Sequence, residues 1–402
     1  MSSDEEPHLS LPNMKRREFL MLAAALPAAM QTLASTKPER SAEFLETIVK
    51  EGTVPGAALV ASRRGSVRTK KAVGTCCKLD NRQARLTLDT LHPLYSFSKL
   101  VTGTVVAIAK TEGKLDYSDL VSKHIPEFTG GGKDTITIRH CLTHSAGLAK
   151  VPSKPVHDAA GWNQALQDLC AATVEWEPGS RTAYHGWSGA FLAGECVRRV
   201  NGGMPWAELC RVKLFAPLRA KSLSYNLPAD NADAAIVPQP KAEKPLPKSA
   251  EVAFGYAGQP GAGCFGTLGD ALTVLHFHLQ EGVWKSKRLI SRDIMHEMHT
   301  VQYAKKIAAA RAAGEKPKHE PWGLGPLLRG NGPACDAHKW FGFYDQTSSG
   351  IFGHAGIDTL IGVADLKTRV AFVFATTDSP KPADKTVLVR NKVTDLVFAE
   401  LA

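Results

Sequence analysis

Strand-like segments stand at both ends of this chain, and the long stretch between them is mainly helical. Near the N-terminus, VPGAALVASRRGSVRTKKAVG (54–74) contains two β-type runs joined by a turn at Arg64-Gly65. Near the C-terminus, SGIFGHAGIDTLIGVADLKTRVAFVFATT (349–377) contains three more, and 383–402 is typical of a closing helix. Strands at both ends with helices between them predict one sheet assembled from the two ends, with an inserted helical part.

The chain is long enough to bury a full core, with 402 residues of which 44% are hydrophobic. We expect one domain over 35–402, in which the sheet part comprises about 41–95 and 349–402 and the helical and loop-rich part about 96–348. The segment SAEFLETIVKEG (41–52) has helical periodicity and ends at a glycine. The Pro/Lys-rich segment 238–251 is expected to be an exposed loop.

The first 34 residues have the pattern of an export signal. The pair Arg16-Arg17 precedes an apolar run over 19–30, which has signal-peptide length and is too short to span a bilayer. The order of charge, apolar run and small residues resembles a bacterial twin-arginine signal, with cleavage expected near 32–34. We therefore expect residues 1–34 to be a twin-arginine-type signal peptide and the protein to be exported, either periplasmic or secreted.

The net charge of +10 at pH 7 does not by itself indicate a nucleic-acid-binding protein. The most basic stretch, AKKIAAARAAGEKPK (304–318), has no aromatic residue to stack on a base and is typical of a solvated helix face and its following loop. We therefore expect no nucleic acid partner and no stable membrane span. The eight cysteines include no C-x-x-C pair, which favours a reduced and mostly buried set over a metal site.

A serine and a lysine stand three residues apart in LYSFSKLVTGTVVAIAKTEGKLDYSDL (94–120), at the start of an apolar helical run. On a helix, this spacing places Ser96 and Lys99 on the same face, with the amine within reach of the hydroxyl, while Ser98 points elsewhere. A lysine that accepts a proton must be neutral part of the time, which requires burial or a neighbouring charge. Unpaired N–H groups at a helix start can also hold an oxyanion. The alternative is an N-cap serine beside a surface lysine.

Further segments follow this pair in an order that resembles a known family. ITIRHCLTHSAGL (136–148), EPGSRTAYHGWSGAFLAGECVRRV (177–200) and FGHAGIDTLIGVADLKTRVAFVFATT (352–377) resemble the penicillin-recognising serine hydrolases, specifically the class C β-lactamase-like branch that includes family VIII carboxylesterases. The resemblance covers nearly everything from about residue 41 onward. It implies an α/β (α+β) fold of the β-lactamase/transpeptidase type, with an antiparallel sheet, flanking helices and an inserted mainly helical subdomain. The mechanism that the resemblance implies requires no metal and no cofactor.

Tyr184 is the second catalytic residue that the resemblance implies. In this family a tyrosine phenol faces the Ser/Lys pair and carries the proton between nucleophile and leaving group, which requires a phenol near a cation. The family usually continues Tyr-x-Asn, whereas this chain has Tyr184-His185-Gly186. That asparagine would contact a substrate amide and glycine cannot, so Gly186 disfavours β-lactam and peptide substrates. Outside the family context, Tyr184 would be interpreted as a core aromatic residue.

The third element is His354-Ala355-Gly356, which stands where the family has Lys-Thr-Gly or its His-x-Gly variant on an inner strand. The resemblance implies that Gly356 lets substrate approach the backbone and that the Ile357 N–H completes an oxyanion hole with the Ser96 N–H. In place of lysine, His354 is expected to be a weaker, pH-dependent positive pole for a substrate carboxylate. This replacement also favours neutral esters.

Three other patterns are attributed to chance or to architecture. Gly186 to Ala190 approximates a G-x-S-x-G nucleophile elbow around Ser188, but the fifth residue is alanine and no apolar strand precedes it. His144, in the loop LTHSAGL, is interpreted as architectural. Four further histidines lack both the spacing and the carboxylates of a zinc site. These are His276, His278, His296 and His299.

The preferred hypothesis is a serine hydrolase that acts by covalent acyl transfer, most simply a carboxylesterase on small esters. Ser96 attacks the carbonyl, and Lys99 and Tyr184 manage the protons, with the choice of acylation base between them left open. The nearest alternative is a β-lactamase or D-alanyl-D-alanine carboxypeptidase. Two others are an acyltransferase, which passes the acyl group to an alcohol or amine, and a catalytically silent binding protein. A small-molecule ester or amide is the only partner required.

Overall fold

The structure is a computed structural model with a large antiparallel sheet between two layers of helices. Residues 40–402 form one compact unit. The predicted signal segment 1–34 and the Pro/Lys-rich segment 238–251 lie outside the described residues. Those described are 40–78, 83–152, 156, 158–226, 235–236, 257–333, 335, 338, 342, 348–381 and 385–402.

The helices and strands are numbered along the chain within these ranges. The strands are β1 Gly56–Arg63, β2 Ser66–Lys78, β3 Gln83–Arg85, β4 His92–Pro93, β5 Ala235–Ile236, β6 Phe265–Gly266, β7 Val283–Trp284, β8 Lys287–Arg288, β9 Leu327–Leu328, β10 Ile351–Gly356, β11 Leu360–Asp365 and β12 Val370–Thr376. The helices are α1 Arg40–Lys50, α2 Ser98–Thr111, α3 Val121–His124, α4 Ile138–Leu142, α5 Ala159–Ala171, α6 Ser188–Arg199, α7 Trp206–Cys210, α8 Ala216–Leu218, α9 Leu268–Leu279, α10 Arg292–Met298, α11 Ala304–Ala312 and α12 Lys385–Leu401. A 3₁₀ turn, Tyr95–Phe97, precedes α2, and a π-helical turn, Arg211–Phe215, follows α7.

The main sheet is built from both ends of the chain, as the sequence predicts. Its order is β3-β2-β1-β12-β11-β10-β9, with β5 also paired to β2. The central junction joins β1 to β12 in antiparallel register, with Leu59 opposite Phe374, and β12 in turn pairs with β11. The predicted fold class is therefore confirmed, and its three C-terminal strand-like runs are β10, β11 and β12.

Alternating side chains of the central strands feed two separate hydrophobic cores. On one face, Leu59 and Phe374 pack with residues of α1 and α12. On the other face, Val60 and Val373 join the larger core, to which α2, α6 and α9 contribute. Because a strand exposes successive side chains to opposite faces, a sheet that is covered on both sides needs apolar residues at every position. The run GAALVA in β1 meets that requirement.

The local predictions near the chain ends are confirmed. The turn between β1 and β2 lies at Arg64 and Gly65, whose φ angles are 51° and 79°, and α1 covers the helix expected over 41–52.

The basic stretch 304–318 contains α11, in which only Ile307 is buried. Within the described residues, no helix is long and apolar enough to cross a membrane.

Candidate active site

Ser96 lies in the tight turn that leads into α2. Ser96 is partly exposed, whereas Tyr95 and Phe97 on either side of it are buried. The two buried neighbours hold the serine in place while it remains accessible. The ring of Phe97 lies on Gly362 of β11, where a Cβ atom would stand 2.3 Å from the ring. The Leu94 N–H donates to the Cys264 carbonyl at 2.8 Å. These contacts fix the turn against the sheet and the following loop.

Lys99 lies one turn further on and is buried, with 3% of its surface exposed. Its Nζ is 3.0 Å from Ser96 Oγ, 2.7 Å from the Gly186 carbonyl oxygen and 2.9 Å from the Gly261 carbonyl oxygen. A neutral amine has two N–H donors and one lone pair. When the two carbonyls accept hydrogen bonds from those N–H groups, the nitrogen lone pair is left to accept the Ser96 hydroxyl proton.

The environment of Lys99 lowers the cost of that neutral form. Burial lowers the pKa of Lys99 from 10.5 to about 7, because desolvation penalises the ammonium ion. The two carbonyl contacts and the Tyr184 ring, whose centroid is 4.9 Å from Nζ, stabilise the charged form and oppose that effect. Near neutral pH the amine therefore exists in both states, as proton transfer requires.

Tyr184 stands at the mouth of the site, with 43% of its surface exposed. Its ring lies 4.7 Å from that of His144 and 6.0 Å from that of Trp322, measured between centroids. The His185 N–H, on the next residue, donates to Nδ1 of His144 at 3.1 Å. His144 is buried and supports the tyrosine loop, which agrees with an architectural role.

Gly186 enters the site through its backbone. Its carbonyl oxygen accepts the Lys99 contact, and a Cβ atom built on Gly186 would meet nothing within 4 Å among the described atoms. Sterics therefore do not require a glycine here. Because Gly186 has no side chain, it leaves open space near Lys99 and Tyr184, at the position where the resemblance implies an asparagine side chain in the family.

His354, Gly356 and Ile357 lie at the end of β10, next to the serine turn. A Cβ atom on Gly356 would stand 2.6 Å from the Leu94 carbonyl oxygen, so only glycine allows the strand end to lie this close to the residues before Ser96. Ile357 follows with φ of 38°. The structure thus brings the predicted oxyanion segment and the nucleophile turn together.

The burial of His354 disfavours the positive charge that the sequence suggested for it. His354 is 1% exposed, and burial, followed by the nearby Lys99 charge, lowers the pKa of its imidazole from 6.5 to about 3. Its Nδ1 lies 2.8 Å from the Ala355 carbonyl oxygen, which fits a donating Nδ1–H. At neutral pH the ring is therefore uncharged, and it packs 5.8 Å from the ring of Trp322.

Several site residues were not foreseen from the sequence. The Gly261 carbonyl contacts Lys99, and Thr102 donates to the adjacent Pro260 carbonyl at 2.6 Å, which fixes that loop against α2. Trp322 completes the aromatic wall behind Tyr184. The only signals in the sequence are two further segments that resemble the family, GAGCFG (261–266) and WGLGPLL (322–328), and neither assigns a role to these residues.

The other sequence patterns have structural explanations. Ser188 is buried and its hydroxyl donates to the Leu148 carbonyl at 2.7 Å, which is a structural contact and not that of a nucleophile. His276 contacts Ser62 at 2.7 Å, and His278 lies between Thr104 and His299. In the part of the chain that the structure describes, no group of three metal-ligating side chains is found. Five of the cysteines are buried thiols, namely Cys76, Cys141, Cys196, Cys210 and Cys264.

Comparison with protein families and solved structures identifies the architecture. A family model described as Beta-lactamase matches residues 42–393. A curated beta-lactamase from Providencia stuartii is 27% identical over 147 residues, which is 36% of this chain and 37% of that protein. The chain therefore matches little more than a third of that relative's length.

Two solved structures share the fold. A penicillin-binding protein homologue from Caulobacter crescentus superposes with a TM-score of 0.69 at 21% identity, over 89% of this chain and 97% of that one. A family VIII carboxylesterase superposes with a TM-score of 0.69 at 22% identity, over 90% and 98% of the two chains. At these identities the likeness demonstrates a common fold.

Proposed function

The chain belongs to the beta-lactamase family, and on that premise we propose that it is a serine hydrolase that forms a covalent acyl-enzyme with small carboxylic esters. One observation carries the proposal. The buried Lys99 amine lies 3.0 Å from the Ser96 hydroxyl, with two backbone carbonyls occupying its other positions. This arrangement gives a serine its general base without any histidine.

In the first half-reaction Ser96 Oγ forms a bond to the ester carbonyl carbon, and its proton passes to the Lys99 amine. The negative charge on the carbonyl oxygen is held by the backbone N–H groups of Ser96 and Ile357. Collapse of this intermediate breaks the ester C–O bond, and the Tyr184 phenol delivers a proton to the departing alkoxide, then regains it from Lys99. Water attacks the acyl-enzyme in the second half-reaction, which releases the carboxylic acid and restores Ser96.

Two features favour esters over β-lactams and peptides. Gly186 offers no side-chain amide to a substrate amide, and the neutral His354 offers no charge to a substrate carboxylate. A side-chain amide and a positive charge are the contacts that would favour the amide and the carboxylate of a penicillin or a D-alanyl peptide. The family VIII carboxylesterase that shares this fold is a precedent for ester hydrolysis on the same scaffold.

The proposal is tested by intact-mass spectrometry after exposure to a fluorophosphonate. The wild-type protein is expected to gain one phosphonyl adduct, and the Ser96→Ala variant none. Ser188→Ala is the matched control, because that serine is buried and its hydroxyl is used in a hydrogen bond to Leu148. Absence of an adduct on wild-type protein would instead support a silent binding protein.

Substrate class is then ranked by rapid quench with p-nitrophenyl butyrate and with a cephalosporin. We expect a short-lived butyryl adduct with turnover and little or no opening of the lactam. The opposite result would make the protein a β-lactamase or a D-alanyl-D-alanine carboxypeptidase. Faster loss of the acyl group on addition of an alcohol, with formation of a new ester, would identify an acyltransferase.

We also propose that residues 1–34 direct export through the twin-arginine route. The basis is the Arg16-Arg17 pair ahead of an apolar run. Replacing both arginines with lysine should leave the precursor in the cytoplasm of a bacterial host, as followed by fractionation and immunoblot. An unchanged distribution would contradict this part of the proposal.

A further inference from the structure

The turn between β10 and β11 contains an isoleucine in a backbone conformation that it rarely adopts. Ile357 has φ of 38°, whereas a β-branched side chain strongly disfavours the left-handed region. Such a conformation is strained and persists only where surrounding contacts enforce it. On one side, the Thr359 N–H donates to the Gly356 carbonyl at 3.2 Å and closes the turn.

On the other side, Arg390 of α12 contacts the turn. Its guanidinium donates from Nη2 to the Ile357 carbonyl and, at 3.3 Å, to the Leu360 carbonyl. Arg390 is 2% exposed. A single buried guanidinium therefore joins the first residue of the turn to the first residue of β11.

Arg390 remains charged in this position and is rigidly mounted. Burial lowers the pKa of its guanidinium to about 10, with Asp358 acting in the opposite direction, so it is protonated at neutral pH. Its neighbours on α12, Val389 and Val393, are buried in the core that includes β12. Hydrogen bonds from an ionised donor are about twice as strong as neutral ones, which suits a residue that must hold a strained turn.

We propose that Arg390 is a positioning residue for the oxyanion hole, fixing the backbone of Ile357 so that its N–H faces the oxygen of the carbonyl group that Ser96 attacks. The inference rests on the proposed function. The Ile357 carbonyl belongs to the peptide that follows the N–H, so Arg390 acts by fixing the φ and ψ angles of Ile357 and not by touching substrate. The close approach of Gly356 to the Leu94 carbonyl then sets the distance between the strand end and the serine turn.

The test compares Arg390→Gln and Arg390→Lys with wild-type protein in p-nitrophenyl butyrate hydrolysis. Displacement of one oxyanion donor by a fraction of an ångström should lower kcat about 10-fold to 100-fold in the glutamine variant and leave KM within about twofold. The lysine variant keeps a charged donor and should recover part of the loss. Arg329→Gln is the matched control, because Arg329 is 5% exposed and also donates to two backbone carbonyls, those of Gly330 and Gly332.

A second readout separates positioning from general loss of structure. Sulfur accepts hydrogen bonds weakly, so a thionoester, with C=S in place of C=O, gains less from the oxyanion hole than an ester does. Loosening the hole should therefore lower the ester-to-thionoester rate ratio in the Arg390 variants and leave it unchanged in Arg329→Gln. Denatured protein would lower both rates together and leave the ratio intact.

The outcomes distinguish this inference from the function on which it rests. An active wild-type enzyme whose Arg390 variants keep the wild-type kcat and rate ratio would overturn the positioning role alone. A wild-type protein that neither hydrolyses esters nor takes the phosphonyl adduct would overturn the proposed function. If the glutamine variant does not fold, the lysine variant carries the test, with an expected loss in kcat of about threefold to tenfold and the same change in ratio.

Discussion

A carboxylate introduced at position 186 should move the pH dependence of acylation upward. The Gly186 carbonyl oxygen is 2.7 Å from Lys99 Nζ, and a Cβ atom on Gly186 would enter open space. An aspartate rotamer that turns toward Lys99 would bring its carboxylate to about 5 Å from Nζ, the separation that sets the Coulomb energy. At an effective dielectric constant of about 20, that charge stabilises the ammonium ion by about 3 kcal/mol, or about two pKa units.

The sign of the effect follows from the role of the neutral amine. In wild-type protein the pKa of Lys99 is about 7, so the acylation rate should rise with pH and level off above that value. In Gly186→Asp the charged form is favoured, so the midpoint should move to about 9 and the rate at neutral pH should fall about 50-fold. Gly186→Asn adds a side chain of the same shape without charge and should keep its midpoint near the wild-type value.

The assay is the burst rate of p-nitrophenol release under single-turnover conditions, measured from about pH 5.5 to about pH 10 for all three proteins. Comparing the two variants removes the effects of side-chain size and of altered substrate fit. A common midpoint for the aspartate and asparagine variants would refute the reasoning. A common midpoint would mean that the rise of the acylation rate with pH reports the titration of a group other than Lys99.

Three further results are expected. Ser96→Ala should lose all measurable ester hydrolysis, whereas Ser188→Ala should keep it, and equal loss in both would contradict the assignment of the nucleophile. Tyr184→Phe should lower kcat about 100-fold by removing the proton donor, with little change in melting temperature; normal turnover would exclude this role. His299 and His354 each have a pKa of about 3 in the folded protein against 6.5 in the unfolded chain, so each should lower the free energy of unfolding by about 2 kcal/mol at about pH 5. Urea unfolding should therefore show stability that falls as the pH drops below about 6.5, and a flat profile would contradict the buried neutral state of these rings.

The strands were predictable because their signals are local. The apolar run of β1 and the Arg64-Gly65 turn are adjacent in the sequence, and each of the three C-terminal strands is a continuous run of 6 or 7 residues. The spacing of Ser96 and Lys99 is equally local, since a helix brings residues three apart to one face. The sequence pattern therefore predicted both the central sheet and the nucleophile pair.

The rest of the site depends on contacts between distant parts of the chain. Lys99 contacts the backbone carbonyls of Gly186 and Gly261, which are 87 and 162 residues away in the sequence. Because every residue has a backbone carbonyl, the residue type does not show which carbonyl makes such a contact. His354 illustrates the opposite difficulty. Its side chain suggests a titrating cation, but the complete burial that makes it neutral follows from tertiary packing.

The pairing of β1 with β12 has a consequence for how the protein is made. A ribosome releases β1 and Ser96 early, whereas Ile357 and β12 emerge about 260 residues or more later. At about 5–20 residues per second this delay is roughly 13–50 s. During that time the edge of β1 that pairs with β12 has no partner strand, and Ile357, the proposed oxyanion donor, has not yet been made. Activity should therefore appear only when the last strands are released, and a nascent chain stalled before them is expected to need protection from aggregation.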